Sequence, residues 1–424
     1  MRRRAAYIRP LSVSRTYDAP AVDTRVRSPG DWVTAGRGGP LNDYPRDAAA
    51  IVGIGHTEFS KNIGRPERTI ALEAIKMALD DAGLTPKDVD GLVKFSLENT
   101  MEVEIVRNMG IPNLAYFSDV AYGGGAGCGA VGHAAMAIAT GVAETVVVWR
   151  ARNRGSGGRP WATRASNKQP GEMQWFLPFG LSRPVDQIAM LTRRHMIEYG
   201  TTEEHLGHVA ISVREHATRN PNAMMRKPMT MDDYLNVRWV SEPLRLFDCC
   251  LESDGALALV LTTPERAAAL KQPAVLVRAA SQGIGPDHLV MANYFTANPL
   301  DTPSRYAAQE LYRLAGMGPD EIGCAQFYDA FSPLIVISLE DYGFVKPGEG
   351  GPFAADGGLK LGGALPSNTS GSSLSEAYVH GMNLILEGVR QIRGTSTSQV
   401  EDCASVLVTS GNGVPTSSLI LRKP

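Results

Sequence analysis

Apolar residues recur along the chain with two different spacings, and they predict a strand followed by a helix near the beginning. The short run AAAIVGIG at 48–55 ends at glycines, which is typical of a buried strand. Residues 67–82 then carry apolar side chains at a helical spacing, and Gly83 followed by a proline turn predicts the end of that helix and the start of a second strand. The apolar helix positions are Ile70, Ala74, Met77 and Ala78.

The same order of elements occurs a second time in the later part of the chain. AVLVRAASQGIG at 274–285 predicts a strand, and RYAAQELYRLAGMGPDEIGCAQF at 305–327 predicts a helix, a glycine stop, a proline turn and a strand. Both copies contain Ala-Gly-apolar-x-Pro, with an acid two residues after the proline and a β-branched residue next. Because helix–glycine–strand joints are common, coincidence is the alternative. A true duplication predicts an α/β protein with two similar halves.

Three further apolar runs complete the two predicted halves. AETVVVWRA, DGALALVL and ASVLVTSGNGVPTSSLIL are all typical of buried strands. We therefore predict an N-terminal half over 47–264 and a C-terminal half over 265–424. Residues 152–246 are richer in Arg, Pro, Met and aromatic side chains, and we interpret them as an inserted loop and helix region where a substrate cover would lie.

Composition and charge exclude several classes of function. Of 424 residues, 43% are hydrophobic and 20% charged, and 42 basic residues against 44 acidic ones give a net charge of −2. No global field therefore favours nucleic acid or an anionic membrane. No apolar run reaches the roughly 18 to 20 residues that span a bilayer, so we predict no membrane span. Five unpaired-looking cysteines indicate a reduced, cytoplasmic protein, and the lack of CxxC and HExxH motifs argues against a metal site.

The first 46 residues differ from the rest, since they contain many arginines but no lysine and no glutamate. Such a leader is compatible with a transit peptide. We favour a disordered extension over 1–46, or a start codon assigned too early, because no apolar core of a signal peptide is present.

The glycine-rich stretch AYGGGAGCGAVGHAAMAI at 121–138 opens a run of small residues that predicts a buried helix. It is not a phosphate-binding Walker A loop, because no Gly-Lys-Ser/Thr follows. GAGCGA matches a relaxed dinucleotide pattern, but it follows a complete βαβ-like unit instead of opening one. Cys128 could be a thiol activated at a helix N-terminus or a packing residue inside the helix; we favour the second interpretation.

Two other stretches have unusual polar density. QFYDAFSPL ends the second-copy strand, and it places Tyr328 and Asp329 where open α/β folds carry site residues. SNTSGSSLSEAYVHGMNLIL is a Ser/Gly loop that runs into a helix and contains Tyr378 and His380. Each tyrosine could instead be a core aromatic, and the histidine a satisfied helix residue.

Taken together, these motifs resemble the thiolase superfamily, in its lipid-transfer/sterol-carrier branch. The resemblance covers 48–424 and rests on AIVGIGHTEFSK, PLRLFDCCLESDGALALVL, YDAFSP, NTSGSSLSEAYVHGMN and VTSGNGVPTSSLIL in that order. It implies a five-layered αβαβα fold with two similar halves, a homodimer formed through the N-terminal half, and action on acyl-CoA thioesters.

This chain departs from a working thiolase at all four catalytic positions. The nucleophilic cysteine position falls at Gly124, with Gly127 on the motif glycine. Tyr328 stands at the catalytic position of the Asn/His-Glu/Asp-x-Phe motif, Tyr378 replaces the histidine of Gly-His-Pro, and the second cysteine falls near Thr409. Without a thiolate, acyl transfer through a thioester enzyme is excluded.

Paired tyrosines with no cysteine resemble the steroid side-chain-cleaving aldolases of actinobacteria. That resemblance implies retro-aldol cleavage of a β-hydroxyacyl-CoA steroid, for example 17-hydroxy-3-oxo-4-pregnene-20-carboxyl-CoA, to a 17-ketosteroid and propionyl-CoA. It implies no cofactor beyond the CoA thioester of the substrate and no metal in this chain. The expected partner is a small OB-fold DUF35-type protein, with or without a zinc ribbon, in a heterotetramer.

Retro-aldol chemistry requires a base, a proton donor and a site for the enolate oxygen. We assign Tyr328 as base and Tyr378 as acid, with the reverse assignment open, and Asp329 as a residue that positions the turn. Backbone N–H groups of Gly124 and Gly411 form the oxyanion site by analogy, and His380 is a candidate supporting residue.

Two other functions stay open, a non-catalytic acyl-CoA or lipid-binding protein or scaffold, and an acetyl-CoA acetyltransferase-like enzyme on another acyl-CoA. Apolar stretches of the insertion, WFLPFGL and MMRKPMTM, either line a sterol pocket or pack in the core.

Overall fold

A computed structural model describes residues 44–157, 173–286, 288–289, 291, 296 and 298–424. The predicted extension over 1–46 therefore lies outside the described residues except for its last three. Those three pack on the C-terminal half, where the Arg46 guanidinium donates to the Leu314 carbonyl at 2.6 Å.

Eleven strands are found among the described residues; every predicted strand is present, and β3, β5 and β6 are additional. They are β1 Ala50–His56, β2 Gly91–Phe95, β3 Tyr116–Val120, β4 Thr145–Asn153, β5 Trp239–Ser241, β6 Leu244–Arg245, β7 Asp254–Thr262, β8 Val275–Gly283, β9 Cys324–Gln326, β10 Ser405–Ser410 and β11 Thr416–Arg422.

The α-helices lie between these strands and in the inserted region. They are α1 Glu67–Ala82, α2 Glu102–Met109, α3 Gly127–Ala139, α4 Met173–Phe176, α5 Pro184–Tyr199, α6 Glu203–Arg219, α7 Met231–Leu235, α8 Pro264–Ala267, α9 Pro303–Ala315, α10 Pro333–Asp341, α11 Gly350–Ala355 and α12 Met382–Arg393.

Strand order demonstrates the duplication directly. The first half is ordered β1-β7-β4-β2-β3 and the second β8-β11-β10-β9, with parallel and antiparallel pairings in the same places. The two first strands, β1 and β8, pair antiparallel through Ala50↔Leu276 and Ile51↔Val275. One nine-stranded sheet therefore runs through both halves.

The two halves of this sheet and the helices packed on them form five layers. α1 packs on β1 and β7 at one outer face, and α9 packs on β8 and β11 at the other. α3 and α12 lie between the halves, and α3 contacts strands of both. A Cβ at Gly132 would lie 2.8 Å from the Ala280 Cβ. The small residues of α3 therefore allow both halves of the sheet to approach this helix closely. The αβαβα fold predicted from the resemblance is confirmed.

The repeated helix–glycine–strand joints also have matching geometry. Gly83 and Gly316 end α1 and α9 in the left-handed conformation, at φ +75° and +65°. A 3₁₀ turn follows each, at Pro86–Asp88 and Pro319–Glu321. One detail of the prediction is wrong: Met77 is 48% exposed, because α1 buries a narrower face than its apolar residues suggest. Within the described residues, no helix is long and apolar enough to cross a membrane.

Candidate active site

A cavity of about 860 Å³ opens where loops from both halves meet the inserted region. Its volume lies in the range of small-molecule sites, roughly 300–1,000 Å³. The glycine loop before α3 contributes Gly123 and Gly124, and the loop after β10 contributes Asn412, Gly413 and Val414. The inserted region supplies Val185, Ile188, Arg214, Met225 and Val240.

Two tyrosines meet in this cavity. Tyr328 lies just after β9, where its backbone N–H donates to the Thr409 hydroxyl at 2.8 Å. Tyr378 lies in the turn before α12, and its N–H donates to the Leu251 carbonyl at 3.2 Å. The two phenol oxygens are 2.8 Å apart, a hydrogen bond in which either can be the donor.

Gly124 faces the Tyr328 phenol so closely that any larger residue would require the phenol to move. A Cβ at Gly124 would lie 2.0 Å from the Tyr328 hydroxyl oxygen and 2.5 Å from its Cζ. The phenol oxygen therefore occupies the volume that a side chain at this position would need. A cysteine at the thiolase nucleophile position and this tyrosine conformer are mutually exclusive.

Both phenols are neutral. Burial raises the pKa of Tyr328 well above its ordinary value, although the hydrogen bond from Tyr378 and the charge of Arg150 oppose that shift. Burial also raises the pKa of Tyr378, and the neighbouring phenol adds to the effect. The site thus holds a neutral pair of phenols and no phenolate at physiological pH.

Behind the tyrosines lies a buried ion pair that the sequence reading missed. Arg150 in β4 is fully buried and lies 3.5 Å from the Glu98 carboxylate. Its Nη2 donates to Nδ1 of His380 at 2.6 Å. Because arginine can only donate, Nδ1 must be the unprotonated nitrogen, and the neutral ring carries its proton on Nε2. An arginine inside the apolar run TVVVWRA was the signal that could have predicted a buried partner.

His380 lines the cavity beside Tyr378, with ring centroids 5.2 Å apart. Burial and the adjacent Arg150 charge lower the pKa of His380 well below its ordinary value, so the ring stays neutral. Its φ of +53° is uncommon for a non-glycine residue. No described residue accepts a hydrogen bond from Nε2, so this N–H is available to a ligand.

Asp329 is buried and does not line the cavity among the described residues. Its carboxylate accepts the Ser372 hydroxyl and the backbone N–H groups of Ser373 and Leu374, the latter two at 3.0 and 3.2 Å. Burial, partly offset by these bonds, raises the pKa of Asp329 to about 7. These contacts tie the strand end that carries Tyr328 to the turn that carries Tyr378.

Gly411 adopts φ +84° directly after β10, and a Cβ there would lie 2.8 Å from Cα of Gly125. The loop after β10 therefore packs against the glycine loop. Gly124 lines the cavity, whereas among the described residues Gly411 does not, although the next three residues do. The role of both amides as oxyanion donors stays a prediction.

Cysteine chemistry is not favoured anywhere near the cavity. Cys128 is fully buried in α3, its thiol donates to the Val408 carbonyl at 3.4 Å, and burial raises its pKa to about 12. Cys249 and Cys250 do line the cavity. Burial raises the pKa of Cys249 to about 12 and that of Cys250 well above its ordinary value, so both are thiols. Within the described ranges, no group of three or more His, Cys, Asp and Glu side chains could hold a metal ion.

Only part of the apolar insertion lines the cavity. Met225 from MMRKPMTM does so, but no residue of WFLPFGL is among the lining residues described. Trp175 and Phe179 of that stretch are 67% and 81% exposed. These two side chains therefore lie neither in the described wall of the cavity nor in the core.

Comparison with known proteins identifies the family. A family model described as thiolase C-terminal domain-like matches residues 288–422. The chain is 50% identical to the steroid side-chain-cleaving aldolase of Thermomonospora curvata, over 88% of this chain and 97% of that protein. It is 47% identical to the 17-hydroxy-3-oxo-4-pregnene-20-carboxyl-CoA lyase of Mycobacterium tuberculosis, over 88% and 98%.

A solved structure of an Ltp2–ChsH2(DUF35) aldolase superimposes with a TM-score of 0.86 at 49% identity, covering 90% of this chain and 99% of that one. The fold, the paired tyrosines in place of a cysteine and these identities agree with one another. The chain therefore belongs to the thiolase-like family that includes the steroid side-chain-cleaving aldolases.

Proposed function

We propose that this chain is a carbon–carbon lyase that removes a CoA-thioester side chain from a steroid by retro-aldol cleavage. The substrate would be 17-hydroxy-3-oxo-4-pregnene-20-carboxyl-CoA or a near relative, and the products a 17-ketosteroid and propionyl-CoA. The observation that carries this proposal is the hydrogen-bonded tyrosine pair, whose phenol oxygens are 2.8 Å apart in a cavity with no reactive thiol.

The reaction needs one proton removed and one delivered. As the bond between C17 and the α-carbon breaks, its electrons move onto the thioester as an enolate, and the 17-hydroxyl becomes a ketone. Since burial raises the pKa of both phenols, a free phenolate is costly. A relay avoids it: Tyr328 accepts the hydroxyl proton while passing its own to Tyr378, which protonates the α-carbon. Both phenols are neutral again at the end.

The enolate oxygen needs hydrogen-bond donors. We propose the Nε2–H of His380, held in that tautomer by Arg150, together with the N–H of Gly124. Neutral donors of fixed orientation stabilise a developing charge without reorganisation. Gly411 would contribute through the packing of its loop against the glycine loop.

The assembly proposed is a homodimer through the N-terminal half, with a DUF35-type OB-fold protein on each copy. β3 is at the edge of the nine-stranded sheet and carries Phe117, which is 67% exposed. This half therefore presents an unpaired strand edge to a second copy. The DUF35-type partner is proposed because the similar solved structure is that of an Ltp2–ChsH2(DUF35) aldolase.

The test is to co-express the chain with its DUF35-type neighbour and follow cleavage of the steroid thioester by mass spectrometry. Tyr328→Phe and Tyr378→Phe should each abolish most turnover while leaving binding of the thioester intact. Unchanged turnover in both variants would refute the relay. A complex that binds the thioester but releases no ketosteroid would instead support a non-catalytic binding protein.

A further inference from the structure

One buried cation in the cavity has no part in the chemistry proposed above. Arg214 lies on α6 with only 5% of its surface exposed, and it lines the cavity. Its Nε donates to the Ser375 hydroxyl at 2.9 Å, and its Nη1 to the Lys227 carbonyl at 3.2 Å. Of its five N–H donors, three are left for other acceptors.

Three other arginines in or behind the cavity each have a carboxylate partner, whereas the buried Arg214 has none among the described residues. Arg150 lies beside Glu98, Arg154 beside Glu252, and Arg183 beside Asp186. No described carboxylate pairs with Arg214, and no described residue accepts a bond from its Nη2. The Phe247 ring, 5.4 Å away, compensates for only part of the lost hydration. A cation this deeply buried is costly unless water or a ligand in the cavity supplies an acceptor to the N–H groups that remain.

The surroundings indicate what kind of ligand this is. Four apolar residues line the cavity near this guanidinium, and we call them the Arg214 lobe: Met225, Phe247, Leu251 and Leu374. The lobe is joined to the segment that positions Arg214, since Met225 N–H donates to the Ser375 carbonyl and Leu251 N–H to that of Ser373. Apolar walls next to a guanidinium with remaining N–H donors suit a rigid hydrocarbon that carries an oxygen.

The lobe is connected to the turn that carries Tyr378. The Leu251 carbonyl accepts the N–H of Tyr378, and Ser375 and Tyr378 are three residues apart, a span of at most about 10 Å. The phosphates of CoA are better accommodated where the exposed Arg238 lines the cavity, with the half-buried Arg183 also among the lining residues.

We propose that Arg214 donates hydrogen bonds to a ketone oxygen on the steroid ring system, remote from the thioester. This assignment rests on the proposed function and adds a specificity determinant to it. Steroids without that oxygen would leave the guanidinium buried and unpaired, so the site would discriminate against them strongly.

The experiment compares 17-hydroxy-3-oxo-4-pregnene-20-carboxyl-CoA with its 3-deoxy analogue, each also as a pantetheine thioester that lacks the nucleotide phosphates. With the wild-type complex we expect kcat/KM to be about 10- to 100-fold higher for the ketone. Arg214→Met should remove this preference mainly through KM, and Arg214→Lys should retain part of it. Arg219→Met is the matched control, because Arg219 is on the same helix in an exposed pair with Glu215.

Two outcomes would overturn the proposal. Equal kcat/KM of the wild-type complex for both steroids would do so without any variant. A penalty in Arg214→Met that is the same for both steroids and vanishes with the pantetheine thioesters would assign Arg214 to the phosphates of CoA. If the wild-type complex turned over no substrate, the proposed function would fail, and calorimetric affinities for the 17-ketosteroid with and without its 3-oxo group would still decide the role of Arg214.

Discussion

Gly124→Ala is the sharpest test of the active-site geometry, because it adds one methyl group at the point of closest approach. The new Cβ would lie 2.0 Å from the Tyr328 hydroxyl oxygen, whereas real Cβ atoms do not come closer than 3.0 Å to another heavy atom. The phenol must therefore retreat by about 1 Å or more, and its 2.8 Å bond to Tyr378 cannot survive unchanged.

The magnitude follows from that displacement. Misplacing a catalytic group by about 1 Å can cost on the order of 10²-fold in rate. Overpacking a filled site costs about 1–3 kcal/mol of stability, which a fold of this size tolerates. We expect kcat for steroid cleavage to fall about 100-fold, with a smaller change in KM, in steady-state assays of the co-expressed complex.

The control is Gly323→Ala, because a Cβ there meets its neighbours no closer than 3.5 Å, at an ordinary contact distance. A double-mutant cycle sharpens the result: in a Tyr328→Phe background, Gly124→Ala should cost little further activity, since the displaced oxygen is already absent. Wild-type kcat in a correctly folded Gly124→Ala complex would refute the packing argument.

Three further predictions concern the groups around the tyrosines. His380→Gln, which retains a donor near the position of Nε2, should keep more kcat than His380→Phe; equal losses would remove His380 from the oxyanion site. Because both phenols stay neutral, log kcat should not rise between about pH 7 and 9, and a tenfold gain per pH unit would indicate a phenolate base instead. The Asp329 pKa of about 7 exceeds the value near 3.9 of an unfolded chain, so the stability it contributes is complete below about pH 4, declines as the pH rises from there and is lost by about pH 7. The difference in melting temperature between wild type and Asp329→Asn should therefore shrink from about pH 5 to 8, and a growing difference would contradict the assigned shift.

Local patterns were sufficient for most of the helices and strands, whereas the five-layered fold was predicted from the family resemblance. The repeated Ala-Gly-apolar-x-Pro joint predicted two copies of a helix, a turn and a strand, and Gly83 and Gly316 indeed end their helices in the left-handed conformation. β3 was not predicted, because Tyr116–Val120 is half exposed and lacks a continuous apolar run. Its partner strand, and not its own composition, determines that it is a strand.

Site residues could be predicted from the sequence only where they belong to a recognisable motif. Tyr328 and Tyr378 come from different loops, and their 2.8 Å contact depends on the packing of β9 against the turn before α12. The Arg150–Glu98 pair joins residues 52 positions apart through a buried contact that no local spacing encodes. Arg214 was invisible for the same reason, since only the folded structure reveals a cation without a carboxylate.

The contact between Gly124 and Tyr328 also constrains the history of the site. An ancestor with a cysteine at position 124 could not have accepted this tyrosine conformer, because the Cβ and the hydroxyl would have overlapped. A cysteine at position 124 is therefore compatible with Tyr328 only if the phenol takes a different position from the one in this structure. We expect Gly124→Cys alone to displace the phenol from its bond to Tyr378 and so to lose aldolase activity, without gaining thiolase activity, because Tyr378 still stands at the position of the thiolase histidine. A single steric contact thus makes the thiolase cysteine and the present position of the Tyr328 phenol incompatible within one fold.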